Sequence, residues 1–178
     1  DPVTLNLDRD AAAAAVGQRT RGILPIHIFG FPAAMPELET LAGKHDLGIL
    51  EDACEAVGAS DYEGRGVGTR GNLATFAFYA NKQMTTAEGG IVLTDDGDLA
   101  RHLKSLVNQG RSDDGAWLVH ARLGFNYRLS DVHAAIGVAQ LERLDEKLFL
   151  DVFAPPIAKA RPMAPLAPTA KPRAGTTA

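Results

Sequence analysis

The sequence predicts an α/β domain built on a largely parallel sheet. Short apolar segments with strand character alternate along the chain with longer segments of helical periodicity. The chain has 178 residues and is 46% hydrophobic, which suits a single domain with a real core. Because alternation of this kind is typical of parallel strands joined by helices, we expect a layered fold with helices packed on the sheet.

Four strands are predicted from runs of apolar and β-branched residues. They cover residues 22–28, 48–51, 73–79 and 90–94. Pro25 lies within the first of them and has no N–H to donate to a neighbouring strand, so a local irregularity is expected there. The segment 62–68 is rich in glycine and is predicted to form a hairpin or a loop.

Four helices are predicted from apolar periodicity and from residues that start or stop helices. They cover residues 8–16, 36–45, 98–108 and 131–148. Pro36 suits the first turn of the second helix, and Ser130 suits the cap of the fourth. In the fourth helix, Val132, Ile136 and Ala139 form an apolar face.

Charge and composition exclude several classes of protein. The formal net charge of −4 argues against a nucleic-acid or anionic-membrane binder. The sequence shows neither a signal peptide nor an apolar run long enough to span a bilayer. Cys54 is the only cysteine, so an internal disulfide cannot form and a reducing, cytoplasmic location is expected.

The last part of the chain differs in kind from the rest. Residues 154–178 contain six prolines, eight alanines and four basic residues, and no acidic residue. A segment with so little apolar bulk cannot form a packed core. We therefore predict a folded domain over residues 1–148 and a Pro/Ala-rich, disordered tail over residues 149–178.

Two ionisable residues follow predicted strands. Asp52 comes directly after the strand at 48–51, and Lys82 follows the strand at 73–79. Ligands of parallel sheets bind at the carboxyl ends of strands. An enzyme that uses pyridoxal phosphate needs two such residues. A lysine bonds to the aldehyde of this cofactor, and an acid holds its pyridine nitrogen. The simpler alternatives are a solvated surface lysine and an acid that caps a helix.

Three longer segments decide between these alternatives. They are EDACEAVGA at 51–59, FAFYANKQMTTAEGG at 76–90 and GFNYRLSD at 124–131. In this order they resemble the DegT/DnrJ/EryC1/StrS family of sugar aminotransferases, and the resemblance runs from about Leu7 to Leu148. The resemblance implies the large domain of a fold type I pyridoxal-phosphate-dependent transferase. It also implies that residues 1–148 are only part of that cofactor-binding domain, because the family's proteins are more than twice this long.

The resemblance also implies a function and a set of site residues. Lys82 is the catalytic residue, and Asp52, Glu55, Lys82 and Asn126 bind pyridoxal 5'-phosphate. The implied reaction moves an amino group from an amino-acid donor, glutamate, to a nucleotide-linked keto-deoxysugar. Asn126 matches an asparagine that reaches the cofactor phosphate of the neighbouring subunit, so a homodimer with shared active sites is implied.

Alternatives remain for two of the residues and for the chain. Glu55 could simply be an acid at the start of a helix, and Asn126 could be a turn residue beside Gly124. A second function is a catalytically inactive fragment that serves as an oligomerisation or interaction module. A third is an unrelated α/β binding domain. A sheet that brings Asp52 and Lys82 to the same edge would argue against the third.

Overall fold

The protein was analysed as a computed structural model, which describes residues 1–112 and 118–153. Its framework is one four-stranded sheet with helices before, between and after the strands. The strands are β1 (Gly22–Ile23), β2 (Gly48–Asp52), β3 (Leu73–Ala77) and β4 (Gly90–Leu93). The helices are α1 (Arg9–Ala15), α2 (Met35–His45), α3 (Gly97–Val107), α4 (Asp131–Leu141) and α5 (Leu144–Phe153).

The sheet is mostly parallel, as the sequence predicts. The strands lie side by side in chain order, with β1, β2 and β3 parallel and β4 antiparallel to β3. In the register of the sheet, Asp52 at the end of β2 stands beside Thr75 in β3. The carboxyl ends of the parallel strands therefore lie along one edge of the sheet, where ligands of such folds bind.

The hydrophobic core lies between α2 and the first two strands. Its buried members come from β1, β2, α2 and the residues before α2: Ile23, Ala33, Met35, Leu38, Ala42 and Ile49. Helix α2 presents one apolar face because Leu38 and Ala42 are four residues apart. This packing fixes the position of β2, whose last residue is Asp52.

The first strand is shorter than predicted because of Pro25. Regular pairing stops after Ile23, whereas the sequence predicts a strand through residue 28. The chain nevertheless continues alongside β2: the Asp52 N–H donates to the Pro25 carbonyl (2.9 Å), and the His27 N–H donates to the Asp52 carbonyl (3.0 Å). A short 3₁₀ turn, Ile28–Gly30, follows directly. The end of β2 is thus bonded on both of its edges.

Side-chain caps set the starts of three helices. Asp8, Asp96 and Ser130 each accept hydrogen bonds from backbone N–H groups in the first turn of α1, α3 and α4. The cap at Ser130 confirms the predicted start of α4. The predicted helix over 131–148 is instead two helices separated at Glu142 and Arg143. Helix α5 continues to Phe153, so residues 149–153, which the sequence assigns to the tail, are helical, and the rest of the tail lies outside the described residues.

Much of the apolar surface of β4 and α4 is open to solvent. Ile91 and Val92 in β4 are 45% and 44% exposed, and Val132 and Val138 in α4 are 72% and 60% exposed. The apolar face predicted for α4 is therefore only partly covered. None of the helices in the described parts of the chain is both long and apolar enough to cross a membrane.

Candidate active site

The site begins with Asp52 at the end of β2. Its carboxylate oxygen Oδ1 accepts a hydrogen bond from the Cys54 N–H at 3.1 Å, which turns the chain sharply after the strand. The side chain is half-buried, and the backbone is bonded to the Pro25–His27 segment on one side. Asp52 is therefore held on a rigid part of the fold rather than on a free loop.

Lys82 lies in a closed loop between β3 and β4. The Phe78 N–H donates to the Gly89 carbonyl (2.8 Å), and the Thr86 N–H donates to the Phe78 carbonyl (2.9 Å). These bonds tie the two ends of the loop together just beyond the sheet. The Lys82 side chain is 16% exposed, so its amine lies against the protein instead of extending into solvent.

Glu55 joins the Lys82 loop to the turn after β2. Its Oε1 lies 3.3 Å from Lys82 Nζ, and its Oε2 accepts the Phe29 N–H at 3.1 Å. The Glu55 carbonyl also accepts a hydrogen bond from Gln83 Nε2 at 2.6 Å. Two segments that are distant in sequence, the Phe29 turn and the Lys82 loop, therefore converge on Glu55, at the edge of the sheet where β2 ends.

Cys54 lies near the charged groups of Asp52 and Lys82. Burial raises the pKa of its thiol, and the hydrogen bond and negative charge of Asp52 raise it further, whereas Thr75 and the positive charge of Lys82 lower it. Both charges act on this one thiol, so Asp52 and Lys82 share its surroundings. The raised pKa keeps the thiol protonated, in agreement with a packing role.

The fourth predicted residue, Asn126, is exposed and has other partners. It pairs with Asn108 in a short bridge after α3, and its Oδ1 accepts a hydrogen bond from Arg128 Nε at 2.9 Å. Within residues 1–112 and 118–153, no hydrogen bond or ion pair joins Asn126 to Asp52, Glu55 or Lys82. The structure thus brings Lys82 and Glu55 into direct contact, places Asp52 in the same turn after β2 as Glu55, and leaves Asn126 at the surface.

A buried pair supports the site and was not predicted from the sequence. His27 and Glu51 are fully buried, with Nε2 and Oε2 3.0 Å apart. The Glu51 carboxylate also accepts the N–H groups of Gly68, Arg70 and Gly71. The signal in the sequence was the acidic residue directly before Asp52, because successive residues of a strand face opposite sides of the sheet.

Helix α4 also packs against the loop that carries Lys82. Thr86 is 1% exposed, and its hydroxyl donates to the Glu88 carbonyl at 2.7 Å. Gly137 of α4 is buried against this loop: a methyl group at Gly137 would come within 2.9 Å of Thr86 Cγ2. The close approach of helix and loop therefore depends on a glycine.

The residues present fit pyridoxal phosphate in their chemistry. The cofactor needs one amine and one carboxylate on opposite parts of a site, both partly withdrawn from water. Asp52 supplies the carboxylate at the end of β2, and Lys82 supplies the amine from the loop that follows the neighbouring parallel strand β3; among the described residues the Lys82 amine has one partner, Glu55. Gln83 Oε1, next to Lys82, is a buried acceptor without a hydrogen-bond donor in the described parts of the chain.

Comparison with known proteins gives one consistent result. Residues 1–149 match the DegT/DnrJ/EryC1/StrS aminotransferase family. The chain is 44% identical over 148 residues to a GDP-perosamine synthase of Caulobacter vibrioides, covering 83% of this chain and 39% of that protein. Among solved structures, an aminotransferase from Psychrobacter cryohalolentis superimposes with a TM-score of 0.77 at 34% identity, covering 82% of this chain and 39% of the other.

A third relative was solved in the presence of a sugar product. The structure of DesI with its TDP-sugar product superimposes with a TM-score of 0.74 at 38% identity, covering 82% of this chain and 36% of that one. The chain therefore spans about two fifths of the length of the relatives it matches. The aminotransferases of this family depend on pyridoxal phosphate. Because the family match covers residues 1–149, the chain belongs to the DegT/DnrJ/EryC1/StrS aminotransferase family.

Proposed function

We propose that the chain carries the lysine-bearing part of a pyridoxal-phosphate-dependent aminotransferase that acts on a nucleotide-linked keto-deoxysugar. The observation that carries this proposal is the cluster of Lys82, Glu55 and Asp52 at the carboxyl edge of the sheet. The relatives named for GDP-perosamine synthesis and for a TDP-sugar product support the substrate class. Glutamate is the proposed amino donor, and the single cysteine supports the assignment to a reducing cytoplasm.

Lys82 has two roles in this proposal. Its amine would hold the cofactor covalently, with loss of water from the cofactor's aldehyde. When the amine of the donor takes its place, the free Lys82 amine would move a proton to and from the substrate carbon. When bound, pyridoxal phosphate supplies an aldehyde that carries the amino group and a ring that withdraws electrons. The position of Lys82 suits both roles because the amine is partly buried and is held by Glu55 at 3.3 Å.

Asp52 and Glu55 hold the cofactor in this proposal. Asp52 keeps the pyridine nitrogen protonated, and a half-buried carboxylate is stable there because the ring supplies the opposite charge. Glu55 would accept a hydrogen bond from the ring hydroxyl of the bound cofactor. The hydrogen bond from Phe29 N–H holds the Glu55 carboxylate in position for this contact.

Asn126 contacts the phosphate of the partner's cofactor in this proposal, so the active enzyme is a homodimer. Its Oδ1 is occupied by Arg128, which leaves its amide N–H₂ group to donate outward. The surface position of Asn126 supports a role across a subunit interface. Residues 1–148 then form part of the cofactor-binding domain, and residues 154–178 are proposed to contribute nothing to it.

A second candidate is an interaction module without activity of its own. The chain spans 39% of the C. vibrioides synthase, and apolar residues of β4 and α4 are exposed. Both observations favour a chain that works only together with other segments. Under this proposal, the 178-residue chain associates with itself or with another protein but transfers no amino group.

The two candidates are separated by one assay on two proteins. One is the 178-residue chain, and the other is a chimera in which residues 1–149 replace the matched segment of the C. vibrioides synthase. Both receive pyridoxal phosphate, ¹⁵N-glutamate and a GDP-linked keto-deoxysugar, and mass spectrometry follows ¹⁵N into the sugar. Label in the sugar supports the aminotransferase proposal. A chimera that binds cofactor at Lys82 but yields no labelled sugar would contradict the proposed substrate class.

A further inference from the structure

One aromatic residue at the edge of the site has an unfavourable backbone conformation. Phe29 has φ 51° and ψ 28°, in the left-handed region that bulky residues avoid. Its side chain is 78% exposed. A bulky apolar residue that is both strained and exposed gains nothing from burial, and strain of this kind is concentrated at ligand-binding positions.

The turn that carries Phe29 is held firmly by its neighbours. The Ile28 N–H donates to Asn6 Oδ1 (3.1 Å), and the Phe31 N–H donates to the Ile28 carbonyl (2.8 Å). A methyl group at Gly30 would lie 3.2 Å from the Glu55 carbonyl, so this part of the turn is in close contact with the site. The Phe29 ring is thus presented by a rigid turn, which reduces the entropy that binding must overcome.

Phe29 is connected to the Lys82 amine through a single carboxylate. Its N–H bonds to Glu55 Oε2, and Lys82 Nζ lies beside Glu55 Oε1. The Phe29 turn and the Lys82 amine therefore border the same part of the site. The ring has no polar atom, so its contribution to binding is apolar stacking rather than hydrogen bonding.

We propose that the Phe29 ring packs against the apolar face of the deoxysugar ring and helps to select that part of the substrate. This assignment rests on the proposed function, because it takes a nucleotide-linked sugar as the ligand. The C–H groups on one face of a deoxysugar match an exposed aromatic ring, whereas the phosphates that link the sugar to the nucleoside require polar and cationic groups. Phe29 thus sets affinity for the sugar and leaves affinity for the nucleotide unchanged.

The test is a binding titration with GDP-perosamine and with GDP alone, by calorimetry, on the chimera and on the 178-residue chain. Phe29→Ala should weaken GDP-perosamine binding about tenfold and leave GDP binding unchanged, as expected for the loss of one aromatic contact. Phe29→Tyr should keep the affinity because it retains the ring. The readout is binding, so it does not depend on turnover by the cofactor-loaded enzyme.

Two further variants separate binding from folding. Phe29→Gly removes the ring but relieves the strain, because glycine adopts positive φ freely; it should be at least as stable as the wild type and should still lose affinity for GDP-perosamine. Phe31→Ala is the matched control, since Phe31 lies two residues further along and is 56% exposed with an ordinary backbone φ of −88°. It should bind both compounds like the wild type.

The outcomes distinguish this inference from the proposed function. If the wild-type chimera does not bind GDP-perosamine, the proposed substrate class is wrong and the role of Phe29 is rejected with it. If the wild type binds and Phe29→Ala binds equally well, only the role of Phe29 is rejected. The sugar contact would also be overturned if Phe29→Ala weakened the binding of GDP and of GDP-perosamine equally. The same holds if Phe29→Ala dissociated a dimer without changing the affinity for the sugar.

Discussion

Glu51 Oε2 and His27 Nε2 lie 3.0 Å apart in the interior of the domain, where both side chains are fully buried. The other ring nitrogen of His27, Nδ1, accepts the Ala33 N–H at 3.0 Å, so the proton of the neutral imidazole is on Nε2 and points at Glu51. Glu51 therefore remains a carboxylate with four N–H donors around it. The pair of His27 and Glu51 joins the segment before α2 to the end of β2, and so stabilises the strand next to Asp52.

Glu51→Gln should destabilise the domain by about 3 kcal/mol or more, because the amide would direct its own N–H₂ group at backbone donors. The measurement is urea unfolding at pH 7. Glu142→Gln is the matched control, since Glu142 is exposed just after α4. A loss below 1 kcal/mol for Glu51→Gln would contradict the arrangement of donors around this carboxylate.

The same residue should contribute to acid sensitivity. Burial opposes ionisation of Glu51, but hydrogen bonds from His27 and from the N–H groups of Gly71, Gly68 and Arg70 outweigh it and hold its pKa below the ordinary 4.5. A lowered folded-state pKa gives stability that is present above about pH 4.5 and is lost as the pH falls through the folded value. The difference in unfolding free energy between wild type and Glu51→Gln should therefore shrink below that pH.

Lys82→Ala should abolish covalent capture of pyridoxal phosphate and lower transamination by the chimera by about 10³-fold or more, because one side chain supplies both the bond and the proton transfer. Borohydride reduction followed by peptide mapping should find the cofactor on Lys82 in the wild type. Lys44→Ala, at the exposed end of α2, is the control and should behave like the wild type. Capture at a different lysine would overturn the assignment.

Asp52→Asn should spare much of the cofactor affinity and reduce turnover by about 10²–10³-fold, since a neutral amide cannot hold the proton on the pyridine nitrogen. Cofactor affinity is followed by absorbance and turnover by ¹⁵N transfer, both in the chimera. Asp95→Asn, exposed after β4, is the matched control. If Asp52→Asn kept full turnover, the acid would have a structural role only.

The sequence was sufficient to predict the parallel sheet and the elements that carry Asp52 and Lys82. Strand periodicity placed Asp52 and Lys82 after two predicted strands, and these strands, β2 and β3, pair in parallel, although Lys82 itself lies in the loop that follows β3. The residue at which β1 ends could not be predicted from the sequence, since Pro25 interrupts the strand pairing and yet the chain stays beside β2. Local sequence patterns indicate the conformation of a segment by itself. Where β1 stops pairing depends also on the hydrogen bonds that β2 makes with it, and these cannot be predicted from the local pattern.

The contacts around Glu55 could not be predicted from the sequence either, for a related reason. Glu55 meets Phe29 and Lys82, which are 26 and 27 residues away along the chain. No periodicity links residues so far apart, and the left-handed conformation of Phe29 contradicts the usual preference of a bulky residue. Such exceptions to local rules arise where tertiary contacts over-determine the backbone, so the structure was needed to find them.

Two glycines in helices test whether α4 holds the Lys82 loop. Gly43→Ala in α2 should stabilise the domain by about 0.5–1 kcal/mol, because a methyl group there meets no atom within 4 Å and alanine favours the helix. Gly137→Ala gains the same helix preference, but its methyl group would come within 2.9 Å of Thr86 Cγ2. Relieving that contact moves either α4 or the loop, which should cancel the gain and slow cofactor capture at Lys82. Thermal unfolding and borohydride trapping measure the two effects. If Gly137→Ala stabilised the domain as much as Gly43→Ala and left capture unchanged, α4 would have no part in positioning Lys82.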